Sequence, residues 1–84
     1  MKELFYLVLF NIFREGHLAT VVILMRAGAD PNLKDYEGSS CIHLAAQFGH
    51  TAICAYLIAK GINPDTPDRS GMTPLMWCSY KINR

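Results

Sequence analysis

The side chains in this sequence that are best suited to metal binding or catalysis are its cysteines and histidines. They are Cys41, Cys54, Cys78, His17, His43 and His50. Structural zinc takes four such ligands at short, fixed spacings, and the sequence has no C-x-x-C pair. Residues two apart on a helix point in different directions, so Cys41 and His43 do not form a nucleophile–base pair. The sequence therefore predicts no metal site, no cofactor and no catalytic set.

Charge and thiol content restrict the kind of partner and compartment. The formal net charge is +1, and the 84 residues contain no run of basic or acidic side chains. A nucleic-acid-binding stripe or a polybasic membrane patch is therefore not expected. Three cysteines are an odd number, which favours free thiols in a reducing, cytosolic environment.

Turn residues recur along the chain at a constant interval of 33. The matched pairs are Gly16 and Gly49, His17 and His50, Gly28 and Gly61, Pro31 and Pro64, Asp35 and Asp68, and Gly38 and Gly71. This period is typical of stacked repeats, and 33 is the ankyrin period. The segment C-I-H-L-A-A at 41–46 stands where ankyrin repeats carry T-P-L-H-x-A, and T-P-L recurs at 73–75. The sequence thus resembles an all-α ankyrin solenoid of helix–turn–helix units with β-turn finger loops, with about two and a half repeats.

The period divides the chain into a degraded first repeat at 1–37, a complete repeat at 38–70 and a truncated third repeat at 71–84. Apolar spacings of three and four predict outer helices over 17–27 and 51–60, and the motif predicts inner helices over 41–48 and from 73 to about 81. Repeats bury their apolar faces only against neighbours, so about three or more are needed for stability. We therefore expect a fragment of a longer array.

Residues 1–13 depart from the repeat pattern, because Phe10 stands at the histidine position of the motif. A degraded inner helix is the preferred interpretation, with an unrelated leader sequence and a signal peptide as alternatives. Glu3 and the lack of a small-residue cleavage site argue against a signal peptide, and the apolar run is too short to span a membrane. Without a preceding repeat, exposed Phe5, Phe10 and Phe13 would promote aggregation.

Trp77 is the residue that best indicates a binding surface. It follows the histidine position of the third motif, a slot that Leu44 holds one repeat earlier. On an L-shaped helix-pair stack we expect this slot to face the concave groove, with Gln47, Phe48 and Tyr80 nearby. A large aromatic side chain in an open groove is a natural anchor for a bound peptide. The alternative is that Trp77 only packs between repeats.

A narrower family resemblance covers residues 28–78. The segments C-I-H-L-A-A-Q-F-G-H at 41–50 and G-M-T-P-L-M-W at 71–77 are similar to the N-terminal ankyrin domain of the huntingtin-interacting DHHC palmitoyltransferases. The resemblance implies a module that recruits client proteins for S-palmitoylation by binding extended motifs that end in Gln-Pro. It implies that Trp77 stacks on the proline and that Gln47 fixes the peptide backbone.

The same resemblance implies a membrane-embedded parent enzyme, with this module on the cytosolic face of Golgi or vesicle membranes. The sequence itself contains no Asp-His-His-Cys motif, so we do not expect the chain to transfer palmitate. Residues 1–13 and the loop at 34–36 depart from the family pattern. A generic ankyrin scaffold without an enzyme parent is the alternative function.

Overall fold

The computed structural model of this protein describes residues 2–82, and that part of the chain is helical, without a strand. Its helices are α1 (Lys2–Glu15), α2 (Leu18–Arg26), α3 (Cys41–Gln47), α4 (Thr51–Ala59) and α5 (Pro74–Ile82). Short turns join α1 to α2 and α3 to α4, so each pair forms a helical hairpin. None of the described helices is both long and apolar enough to cross a membrane.

The helix bounds reproduce the sequence period. Both α2 and α4 begin and end 33 residues apart, and α3 and α5 begin 33 residues apart. The predicted all-α ankyrin solenoid is confirmed. The first helix differs, because α1 begins at Lys2 although the position equivalent to Cys41 is Val8. Its first turns therefore occupy the place where another repeat would have a finger loop.

The finger loops are β-turns held by an aspartate. Each carboxylate Oδ1 accepts two backbone N–H bonds at 2.9–3.0 Å: Asp35 from Glu37 and Ser39, and Asp68 from Ser70 and Met72. The two fingers are joined where the N–H of Arg69 donates to the carbonyl of Glu37 at 2.8 Å. This aspartate chemistry explains why Asx residues recur at these turn positions.

The hydrophobic core is centred on α3, which packs against α1, α4 and α5. Leu9 and Phe13 of α1 belong to this core, together with Ile42 of α3 and Leu57 of α4. The expectation that Phe13 is exposed is therefore wrong, because Phe13 is buried in the core. Phe10 is half-buried, and the Phe5 side chain lies outside the described part. The packing of α1 agrees with an inner helix, while the repeat boundaries at 37 and 70 stay a prediction.

Candidate functional site: the inner-helix surface

His43 fixes the position of the loop that follows α4 in its own repeat. The ring is fully buried, and its Nδ1 accepts from the Ser40 backbone N–H at 3.2 Å and from the Ser40 hydroxyl at 3.0 Å. Its Nε2 donates to the carbonyl of Thr66 at 2.6 Å. Because both ring nitrogens are used in this way, His43 has a structural role in the repeat and is not a free base or ligand.

His50 joins the two helical hairpins. Its Nε2 donates to the carbonyl of Arg14 at 2.7 Å, across the turns that end α1 and α3. The ring lies directly against Gly16, which has a φ of +84°. The equivalent residue, His17, is exposed and lies 3.3 Å from the Glu15 carboxylate. The bond of His50 therefore orients the inner helices relative to each other.

The thiols of Cys41 and Cys54 are poorly suited to nucleophilic chemistry. Burial raises the pKa of Cys41 to about 12, with a smaller contribution from the charge of Asp30. Burial, and then the neighbouring Cys78, raise the pKa of Cys54 to about 12. A reactive cysteine needs the opposite shift, since the thiolate is the nucleophile. Within the described residues, His, Cys, Asp and Glu form no group of three that would hold a metal ion.

Three residues at equivalent positions define one side of the inner helices. Arg14, Gln47 and Tyr80 are 33 residues apart and lie on α1, α3 and α5. We call them the inner-helix row. Tyr80 is 55% exposed, Gln47 is half-buried and Arg14 is exposed. The Arg14 guanidinium lies 5.8 Å from the ring centre of exposed Phe48. The side chains of Gln47, Phe48 and Tyr80 are all at least partly accessible to solvent.

Trp77 lies between the core and this surface. The side chain is half-buried and packs against the core, while its ring meets Tyr80 edge-on, with centroids 6.0 Å apart and planes at 88°. Its Nε1 is buried and has no hydrogen-bond partner among the described residues. The structure thus places Trp77 and Tyr80 together, as an aromatic pair of which Tyr80 is the more exposed member.

Leu44 differs from the prediction that it lines the groove. It is only 4% exposed, although it occupies the slot that Trp77 occupies one repeat later. The reason is that α3 packs against α1, α4 and α5, and Leu44 is one of the residues of the core cluster. Its side chain therefore belongs to the core, and we leave it out of the proposed binding surface.

The structure shows a cleft beside α1 that was not predicted from the sequence. A cleft of about 450 Å³ separates α1 from the finger loops, and we call it the finger cleft. Its lining residues are Tyr6, Leu7, Phe10, Arg14, Lys34, Asp35, Tyr36 and Arg69. The signal was present in the sequence, because Phe10 stands at the motif position that His43 holds one repeat later.

These features define an ankyrin-repeat protein with an open inner-helix surface. Residues 9–84 match the family model for ankyrin repeats in three copies, and the chain belongs to that family.

The similar proteins of known identity include palmitoyltransferases, and the match lies in their ankyrin-domain region. The chain is 64% identical over 69 residues to palmitoyltransferase Hip14 of Drosophila melanogaster. It is 66% identical over 70 residues to palmitoyltransferase ZDHHC17 of Danio rerio, and 51% identical over 69 residues to palmitoyltransferase ZDHHC13 of Homo sapiens. Each match covers 82–83% of this chain and 11% of the relative. The resemblance to DHHC palmitoyltransferases is thus confirmed.

Proposed function

We propose that this chain is a protein-interaction module that recruits client proteins to a membrane-embedded protein S-palmitoyltransferase of which it forms a part. The proposal is supported by the ankyrin fold, which serves protein interaction, and by relatives that are palmitoyltransferases. In this proposal acyl transfer takes place on another domain of the parent, at the cytosolic face of Golgi or vesicle membranes. The raised pKa values of Cys41 and Cys54 agree with a module that binds without performing chemistry.

The observation that carries the proposal is the aromatic pair of Trp77 and Tyr80 on α5, which packs against α3, the helix that carries Gln47. An extended peptide running along the inner-helix row would place a proline ring against this pair, because aromatic faces favour rigid apolar rings. The Gln47 amide offers a donor and an acceptor to the peptide backbone. This chemistry fits a motif that ends in Gln-Pro, with Phe48 lining the same surface.

The test is calorimetric binding of a Val-x-x-Gln-Pro peptide to the 84-residue chain and to its variants. Trp77→Ala is expected to weaken binding by on the order of 2 kcal/mol, or about 30-fold. Because Trp77 also packs on the core, Tyr80→Ala serves as the milder variant, and we expect it to weaken binding about tenfold.

The matched control is Ile58→Ala, which truncates an exposed side chain on the outer helix α4. Circular dichroism verifies that each variant is folded. Equal affinity of the parent chain and Tyr80→Ala, with both folded, would remove the aromatic pair from the binding site. Translation of the reading frame beyond Arg84 tests the parent enzyme separately, since we expect hydrophobic spans and an Asp-His-His-Cys motif there.

A further inference from the structure

The finger cleft lies where α1 lacks a bond that α3 has. In the second repeat, the His43 ring donates to the carbonyl of Thr66 and ties the inner helix to the following loop. In the first repeat Phe10 occupies the equivalent position, and the equivalent carbonyl belongs to Leu33. A phenyl ring has no N–H to donate, so α1 and the first finger are not joined by this bond. The space between them is the cleft of about 450 Å³.

The backbone edge of the first finger also lacks a neighbour. The second finger is joined to the first where the Arg69 N–H donates to the Glu37 carbonyl at 2.8 Å. The equivalent donor one repeat earlier is the N–H of Tyr36, but the described chain is helical where the preceding finger would be. The Tyr36 side chain is 91% exposed. An extended peptide can offer its carbonyl to such an edge, as in strand addition.

The charges around the cleft favour an acidic occupant. Its lining contains the cations Arg14, Lys34 and Arg69 and one carboxylate, that of Asp35. The Oδ1 of Asp35 already accepts two N–H bonds within its own turn, and the exposed Glu37 is the other acidic side chain of this finger. The cations exceed the carboxylates, and complementary charge increases both specificity and association rate.

The remaining wall of the cleft is apolar. Tyr6 and Leu7 precede Phe10 by four and three residues, so each lies beside Phe10 on the surface of α1, and all three line the cleft. Leu7 is exposed, and Phe10 is half-buried. The cleft therefore combines an aromatic and aliphatic wall with a cationic rim, which a single apolar side chain flanked by carboxylates would match.

We propose that the finger cleft is a second peptide-binding subsite, which takes an extended, acidic segment carrying one apolar side chain. This inference rests on the proposed function, because the segment would be a flank of the same client peptide that meets Gln47 and Tyr80. Arg14 belongs to both the cleft and the inner-helix row, so the two surfaces are continuous.

The experiment uses the 84-residue chain and three labelled peptides with the same Val-x-x-Gln-Pro core. One flank is Asp-Leu-Glu, the second is Lys-Leu-Lys and the third is Gly-Ser-Gly, each attached in separate versions at either end of the core. We expect the acidic flank, at one of the two ends, to tighten binding about tenfold over the Gly-Ser-Gly flank. The gain should fall as NaCl is raised from about 50 to about 500 mM, because salt screens exposed charges.

The variants separate the two surfaces. Lys34→Glu should abolish the gain from the acidic flank and leave the affinity for the Gly-Ser-Gly peptide unchanged. Lys60→Glu, on the outer side of the array, is the matched control and should preserve the gain. A Leu-to-Ser change in the acidic flank tests the apolar wall and should remove part of the gain.

The possible results distinguish the cleft from the proposed function. If the core peptide binds and the acidic flank adds nothing, the inference is wrong and the proposed function stands. If peptides with and without the Gln-Pro core bind equally, but acidic flanks still bind better and depend on Lys34, the cleft stands and the proposed function fails. If sedimentation shows a dimer that Lys34→Glu dissociates, a second copy of the chain covers the cleft and the inference is overturned.

Discussion

At the scale of single residues, the recurring histidines carry different structural roles in successive repeats. His43 makes hydrogen bonds through both ring nitrogens inside the protein, and His50 donates to the Arg14 carbonyl, whereas the exposed His17 lies 3.3 Å from the Glu15 carboxylate. The motif predicts the role of His43, because its position in the repeat matches the ankyrin histidine. The difference between His17 and His50 is not predictable from position alone, since it depends on which turn lies alongside.

We expect His43→Phe to destabilise the fold by about 2–4 kcal/mol. The substitution copies the residue found at Phe10, but it leaves the Ser40 N–H and the Thr66 carbonyl without their bonds inside the protein, and each unsatisfied group costs about 1–3 kcal/mol. Urea unfolding followed by circular dichroism gives the free energy of unfolding. His17→Phe is the control and should be nearly neutral. Equal unfolding midpoints for His43→Phe and the parent chain would contradict this role.

The slot shared by Leu44 and Trp77 shows where residue-level prediction stops. Three equivalent residues occupy it: Asn11 is exposed, Leu44 is buried and Trp77 is half-buried. The repeat pattern correctly assigns them to one slot, but exposure depends on how many helices flank that slot and how large the side chain is. The assignment of Gln47, Phe48 and Tyr80 to a peptide-binding groove therefore stays a prediction, whereas Leu44 is buried in the core.

At the scale of secondary-structure elements, the sequence predicted the helices well where caps and glycines bound them. The outer helices α2 and α4 lie within the predicted ranges 17–27 and 51–60. The preferred interpretation of residues 1–13 as a degraded inner helix agrees with α1, which begins at Lys2, where another repeat would have a finger loop. The finger cleft was missed although Phe10 stands at the position of the motif histidine, because Tyr6 and Leu7 line it from the turns of α1 that replace a finger loop.

We expect the glycine in the turn between α1 and α2 to tolerate substitution less well than the glycine in the turn after α4. Gly16 and Gly61 both have positive φ, at +84° and +93°, so an added Cβ costs about 1 kcal/mol at either site. At Gly16 the Cβ would also lie 2.5 Å from the His50 ring, whereas at Gly61 it meets nothing within 4 Å.

Gly16→Ala should therefore cost about 2 kcal/mol or more, because the His50 ring must move and lose its bond to the Arg14 carbonyl. Gly61→Ala should cost about 1 kcal/mol. Chemical denaturation of the two variants measures the difference directly. Combining each with His50→Ala is the discriminating step, since the excess cost of Gly16→Ala should disappear in that background. An excess that persists would mean that the ring contact is not its cause.

At the scale of the whole molecule, both ends of the described stack expose apolar side chains. Leu4, Leu7 and Val8 of α1 are 51–59% exposed, and α5 packs chiefly against α3. Ile42 and His43 of α3 are buried, but Leu75 and Met76 hold the same positions on α5 and are 58% and 50% exposed. The exposed apolar surface at α5 is thus a property of the array's geometry, because each repeat is covered by the next one.

We expect a further ankyrin unit joined after Arg84 to stabilise the described helices by about 2 kcal/mol or more. The reason is that complete burial of a leucine or methionine side chain contributes about 1.5–3 kcal/mol, and Leu75 and Met76 are about half exposed at present. The unfolding midpoint of the extended protein, compared with a chain carrying a Gly-Ser tail of equal length, measures the gain.

The double variant Leu75→Ser and Met76→Ser identifies the source of this gain in stability. It should be close to neutral in the 84-residue chain and strongly destabilising in the extended one, because only there do the two positions become core. A similar cost in both proteins would show that α5 is already as stable as an internal helix and that its exposed face does not need a following repeat.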